Sequence, residues 1–314
     1  MPTIRSMLLS AGVALAALSL PASASAVNVT VGLGDQNASM FDQEPFQDLK
    51  IKRVRYFIQW DAANDPYQLQ QADIFVDTAR RNGVKVFMTP STNDLRSKKA
   101  KLPSVSAYKR QVGKLVRRYR EMGVEEWGVW NEANHTTQPT YRSPKRAAQF
   151  FKAMYQLCKG CDKVVALDVL DQTSPAVGSY ITQFYKSLNK TWRKRANLVG
   201  VHNYSDVNRK RAKGTLDAFR TTRRYNSRAK FWLTETGGLV NFGRAWPCNE
   251  KRAANRITYM FKFAKKYDRY IDRLYAYAYW GDDCKGFDAG LVNADGSTRP
   301  GYTAFKRGMR GFKR

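Results

Sequence analysis

The sequence predicts a single α/β domain, a (β/α)8 TIM barrel. Three observations point there: eight short apolar runs rich in Val, Phe, Tyr and Trp, longer amphipathic stretches between them, and no glycine-rich phosphate loop after the first run. Strand and helix alternating eight times is the pattern of a closed parallel barrel. An open doubly wound sheet is the main competing architecture, and it would be expected to carry that loop. The chain has 314 residues, against roughly 250 for an ordinary barrel. Hydrophobic residues make up 43% and aromatics 13%, a composition that fills a core and excludes a disordered chain.

The N-terminus, residues 1–26, reads as a secretory signal. Arg5 supplies a positive start, Met7 to Leu20 form an apolar run, and Pro21-Ala22-Ser23-Ala24-Ser25-Ala26 offers small residues for cleavage after Ala26 or Ala24. The apolar run is short of the ~20 residues that a membrane span needs. Secretion is therefore expected, with residues 27–314 forming the barrel and no membrane association after cleavage.

The strands are expected at Val29 to Leu33, Val54 to Ile58, Val84 to Met88 and Trp127 to Trp130, then at Val164 to Val169, Leu198 to Val201, Phe231 to Thr234 and Leu274 to Tyr279. Helices are expected between them. Ala72 to Arg81 stops at Asn82-Gly83, and Ser106 to Met122 stops at Gly123. Pro144 to Cys158 starts behind Ser143 as N-cap, and Asn249 to Tyr267 precedes the eighth strand. Linkers and short repeats are absent from the sequence.

Four cysteines in an exported chain invite pairing. Cys158 with Cys161 and Cys248 with Cys284 are the expected disulfides. A zinc site lacks partners, because the two histidines, His135 and His202, are not in ligand spacing. The formal net charge is +28, a field that favours anionic partners such as an acidic cell-wall glycan. The basic residues are scattered and no nucleic-acid motif accompanies them, so nucleic acid is not an expected partner. A monomer is expected.

Functional side chains of a parallel barrel gather at the C-terminal ends of its strands. There are seven glutamates in the chain. Two of them, Glu132 and Glu235, directly follow apolar strands, whereas Glu121, Glu125 and Glu126 lie in a polar helix-to-strand connection. Two carboxylates on one rim suit glycosidic cleavage: one protonates the leaving oxygen, and the other attacks the anomeric carbon. A separation of about 5 to 5.5 Å predicts a covalent intermediate and retained configuration. The proton donor is expected to have a raised pKa.

Trp130-Asn131-Glu132 at strand four and Thr234-Glu235 at strand seven resemble the clan A retaining glycoside hydrolases, the group of cellulases, mannanases and β-xylosidases. The resemblance implies Glu132 as acid/base, Glu235 as nucleophile, and Asn131 as the partner of the sugar 2-hydroxyl. Val54-Arg55 followed by Trp60 is similar to the second-strand motif, which places Arg55 near the nucleophile. His202-Asn203-Tyr204 resembles the sixth-strand motif, in which His202 would contact substrate and Tyr204 would orient the nucleophile. Trp280 matches the sugar-stacking tryptophan that ends strand eight. The closing stretch from Gly290 to Tyr302 also resembles the end of many such barrels. Ala133 stands where many members have proline, so no family within the clan is assigned.

The expected function is hydrolysis of O-glycosidic bonds, β-linked by the resemblance, in a polysaccharide or oligosaccharide, with no metal or other cofactor. The alternatives are a non-catalytic carbohydrate- or wall-binding barrel and a transglycosylase using the same intermediate. Asp168, Asp171, Asp282 and Asp283 also lie near strand ends and carry no assigned role.

Overall fold

A computed structural model describes residues 27–94 and 100–314. The expected signal segment, residues 1–26, lies outside the described residues. Eight strands form the barrel: β1 Val27–Gly34, β2 Arg53–Gln59, β3 Lys85–Ser91, β4 Glu126–Gly128, a split β5, β6 Leu198–His202, β7 Lys230–Thr236 and β8 Ile271–Tyr277. The two pieces of β5, Lys163–Val165 and Leu167–Leu170, flank Ala166. All neighbours are parallel, in the order 5-4-3-2-1-8-7-6-5. Closure comes at β5, whose first piece pairs with β4 and whose second pairs with β6. The chain is a (β/α)8 barrel.

A main helix follows each strand on the outside: α1 Glu44–Leu49, α2 Pro66–Arg81, α3 Val105–Glu121, α4 Pro144–Leu157, α5 Val177–Lys186, α6 Lys213–Tyr225, α7 Glu250–Lys266 and α8 Pro300–Gly308, with short extra helices at Lys190–Arg195 and Tyr204–Asn208. Local chemistry sets their ends. Asp65 accepts from the backbone N–H groups of Tyr67 and Gln68, and Pro66 takes the first helical position. α2 therefore starts six residues before the apolar periodicity does. Ser143 sits at the N-cap of α4, but its side chain makes no cap hydrogen bond. Among the described residues, no helix is long and apolar enough to cross a membrane.

The lumen is built in layers, because alternate residues of each strand point inward. On β2 the inward series is Arg53, Arg55, Phe57; on β8 it is Arg273, Tyr275, Tyr277. The floor is charged. Glu126, almost fully buried, accepts from Arg53 at 2.7 Å and from Arg273, whose guanidinium lies 3.9 Å from the Trp232 ring centre. Glu126 was read from sequence as part of a polar connection. It instead starts β4 and closes the bottom of the barrel, where only paired charge is tolerated. Above it lies an apolar plug of Phe87, Val165, Leu198, Trp232 and Tyr275. Phe87 meets Trp232 edge-on at 5.1 Å.

Cys248 and Cys284 form the expected disulfide. Cys158 and Cys161 are free, which corrects the expected pairing. Cys158 ends α4 with its thiol turned back into the core, 3.9 Å from the Met154 sulfur, while Cys161 lies beyond the Gly160 turn and is partly exposed.

Candidate active site

The polar layer sits on the apolar plug. Arg55, 1% exposed, rests with its guanidinium carbon 5.9 Å from the Phe87 ring centre. Its Nη1 donates to Glu235 Oε1 at 2.5 Å, and its Nη2 donates to Asn131 Oδ1 at 2.6 Å and to Asp168 Oδ2 at 3.3 Å. One guanidinium thus fixes three groups, from β7, from β5 and from the turn after β4, a task suited to its planar fork.

Glu235 reaches this layer through a break in register. β6 and β7 pair Gly200 with Trp232 and then His202 with Glu235, so β7 spends one extra residue there. The same slip appears against β8, where Leu274 pairs with Leu233 and Ala276 with Thr236. A bulge of this kind re-aims a side chain. Here it turns both Thr234 and Glu235 inward: Thr234 Oγ1 donates to Asp168 Oδ1 at 2.5 Å, and Glu235 joins Arg55. Gly200 makes room for that contact, since a Cβ there would fall 2.4 Å from Asp168 Oδ1.

Glu132 arrives differently. β4 ends at Gly128, and the chain then hooks itself to both neighbouring strands: Asn131 N donates to Pro90 O and Ala133 N to Asp168 O, each at 2.8 Å. Between them Glu132 takes φ +44°, the left-handed region that non-glycine residues enter at a cost of order 1–3 kcal/mol. Its carboxylate accepts from His202 Nδ1 at 3.0 Å. Carboxylate oxygens of Glu132 and Glu235 and a ring nitrogen of His202 all lie within 4.8 Å of one another.

His202 is fully buried, with Nε2 3.2 Å from Asp168 Oδ2 and Nδ1 3.5 Å from Glu235 Oε2. Burial disfavours its charge, but Asp168, Glu235 and Glu132 outweigh that and push its pKa up to about 10. His202 is therefore an imidazolium at neutral pH. Asp168 is held in the ionised form: burial opposes it, and His202, Arg55 and Thr234 prevail. Glu132 departs from the sequence expectation. Burial raises its pKa, yet the His202 imidazolium beside it more than compensates, and the net direction is down.

These groups open into a cleft of about 680 Å³ at the C-terminal end of the barrel. Glu132, Glu235, Asn131 and Tyr204 line it, and Tyr204 Oη donates to Glu235 Oε2 at 3.3 Å. Arg55 and His202 lie beneath, in contact with the two glutamates. Trp280 is not among the lining residues. It borders a separate depression with Ser39 and Gln43, its backbone N–H held by Asp35. The aromatic that β8 gives the cleft is Tyr277, joined to Ala278 by a cis peptide, with Phe57 at 6.4 Å. Sequence reasoning missed Tyr277 and Phe57 as site residues and noted Asp168 without assigning it a role. For Phe57 and Tyr277 the signal was inward parity on β2 and β8. Asp282 and Asp283 are exposed beyond β8, away from this cleft.

No family model matches the chain, and no match was found among curated proteins. Solved structures of the same fold exist. Xylanase B from Clostridium stercorarium F9 aligns with a TM-score of 0.62 at 12% identity, covering 88% of this chain and 96% of that one. A psychrophilic glycoside hydrolase family 10 endo-β-1,4-xylanase gives 0.63 at 17% identity, with the same coverage. A glucosidase from Croceicoccus marinus gives 0.66 at 14% identity, covering 90% of this chain and 67% of that one.

Proposed function

We propose that the protein is a retaining glycoside hydrolase acting on a polysaccharide or oligosaccharide, with Glu235 as nucleophile and Glu132 as acid/base. The observation that carries this reading is the pairing of two carboxylates within 4.8 Å on one rim, each held by a different cation. Glu235, against Arg55 and Tyr204, is kept in one orientation to attack the anomeric carbon. As that carbon–oxygen bond forms, the bond to the departing sugar oxygen breaks, and Glu132 delivers its proton to that oxygen. Water then enters with Glu132 as base, its hydroxyl displaces Glu235, and the second inversion restores the starting configuration. Asn131 has its Oδ1 engaged by Arg55, which leaves its amide N–H groups to donate to a sugar hydroxyl. Tyr277 and Phe57 offer apolar faces for sugar rings.

The neighbours of like fold support a glycan as substrate, since they include named xylanases and a glucosidase. A β-linkage and export belong to the same proposal. Export is supported by the signal-like residues 1–26 and by the Cys248–Cys284 disulfide, a bond of oxidising compartments.

The test is a panel of polysaccharides and aryl glycosides offered to the wild type, Glu132→Gln and Glu235→Ala. Glu132→Gln is expected to lose ~10²–10⁴-fold in rate on substrates with poor leaving groups. Glu235→Ala is expected to be inactive until azide is added, whereupon it yields a glycosyl azide of inverted configuration. Wild-type rates in Glu235→Ala without azide would sink the assignment.

A further inference from the structure

Beyond the catalytic pair, the cleft has a positively charged wall. Arg209 follows the short helix Tyr204–Asn208 and lies with its guanidinium carbon 5.1 Å from the Trp246 ring centre. Both residues line the cleft that holds Glu132 and Glu235. Arg209 is exposed and pairs with no carboxylate among the described residues. Its neighbour Arg211 is committed, with Nε on Asp206 at 3.2 Å and Nη2 on Ser205 Oγ at 2.8 Å. Arg252, on the same indole at 5.6 Å, is turned to the carbonyls of Leu239 and Val240.

The acidic groups nearby are already answered. Glu132 and Glu235 face His202 and Arg55. Asp171 is buried and accepts from the backbone N–H groups of Ser205 and Asp206, and Asp206 accepts from Thr215 N. Burial and Asp206 also hold Asp171 toward its neutral form, with a pKa pushed up to about 7. The charge left unanswered on this wall is positive. Its frame is firm: Phe242 N donates to Trp246 O at 2.7 Å, and the Cys248–Cys284 bond anchors the loop two residues further on.

Accepting the glycosidase reading, we propose that the substrate is a glycan bearing carboxylates, with a uronic acid unit seated at Arg209 and Trp246. The indole of Trp246 carries the Arg209 guanidinium over its ring, and the planar fork held there matches a carboxylate in two hydrogen bonds. A neutral glycan would give Arg209 hydroxyl acceptors but no counter-charge. The general surface charge is screened beyond about 8 Å at physiological salt, so a cation inside the cleft does what scattered surface cations cannot.

The experiment uses Glu235→Gln protein at physiological salt and an array of matched β-glycans, each in native, carboxyl-reduced and, where sulfated, desulfated form. Native uronate glycans are expected to bind, with affinity falling about tenfold or more on carboxyl reduction, the worth of one charged hydrogen-bonded contact. Adding Arg209→Gln should cause the same loss, Arg209→Lys an intermediate one, and Arg310→Gln, at a remote exposed site, none. Equal binding of native and reduced glycans overturns the proposal, as does dependence on sulfate in place of carboxylate, or an Arg209→Gln variant that behaves like Arg310→Gln. Those results leave the glycosidase reading standing if the wild type cleaves any member. Failure of both binding and cleavage across the array would overturn both.

Discussion

His202 governs the ionisation of Glu132, the residue proposed as the acid. Its imidazolium, fixed between Asp168 and Glu132, holds the Glu132 carboxyl below the ordinary carboxylate range although burial works the other way. The alkaline limb of kcat/KM, which reports loss of the catalytic proton in the free enzyme, should therefore fall on the acidic side of neutrality. Replacing His202 with Gln removes the cation, lets burial dominate, and raises the Glu132 pKa, so the limb should move to higher pH by about one unit or more. A profile that stays put or moves to lower pH would remove His202 from this role. The same groups contribute to stability with opposite signs. Asp168, depressed in the folded state, stabilises above its unfolded pKa, and that contribution is lost as pH falls through its folded value. His202, raised to about 10, contributes fully below its unfolded value of about 6.5 and loses that contribution as pH rises through about 10.

Among the elements, β7 and the loops beyond it carry the most function. The bulge at Thr234–Glu235 brings two consecutive residues inward and so joins the proposed nucleophile to the scaffold. Beyond the strand, a two-stranded antiparallel ribbon, Asn241–Phe242 with Phe287–Asp288, ties the loop after β7 to the loop after β8. The disulfide Cys248–Cys284, closing 36 residues, ties the same loops again. Chain entropy alone assigns such a closure about 4 kcal/mol. Both loops line the cleft and neither carries Glu132 or Glu235. The double variant Cys248→Ser/Cys284→Ser should therefore lose several degrees of Tm and raise KM, with kcat changed less. A fall in kcat with KM unchanged would show that these loops act on the chemistry and not on binding.

At the scale of the whole molecule, most of the barrel is legible in the sequence, because strand parity and helix stops are local signals. All eight expected strands are present, with ends that differ from the expected ones by at most three residues. The ends drift where tertiary contacts decide them, as at β4, which stops at Gly128 once Val129 and Asn131 turn their N–H groups to β5 and to Pro90. Glu132, Glu235, Asn131 and Tyr204 line one cleft with Arg55 and His202 beneath it, as the order of their motifs implied. What was not legible depends on which way a strand faces after an irregularity. Asp168 turns inward only because β5 breaks at Ala166. Tyr277, three residues before Trp280, takes the cleft position of β8 because the strand ends there. Glu126 looked like solvent-facing charge because its partners, Arg53 and Arg273, come from strands distant in sequence.

The central claim is that Glu132 and Glu235 work as a retaining pair, and the anomeric configuration of the first product tests it most directly. Proton NMR of the wild type turning over a glycan cleaved in the panel would follow the anomeric signal before mutarotation. The geometry predicts that the first sugar released keeps the configuration of the bond that was cut. Release of the opposite anomer would mean that water, and not Glu235, attacks the sugar.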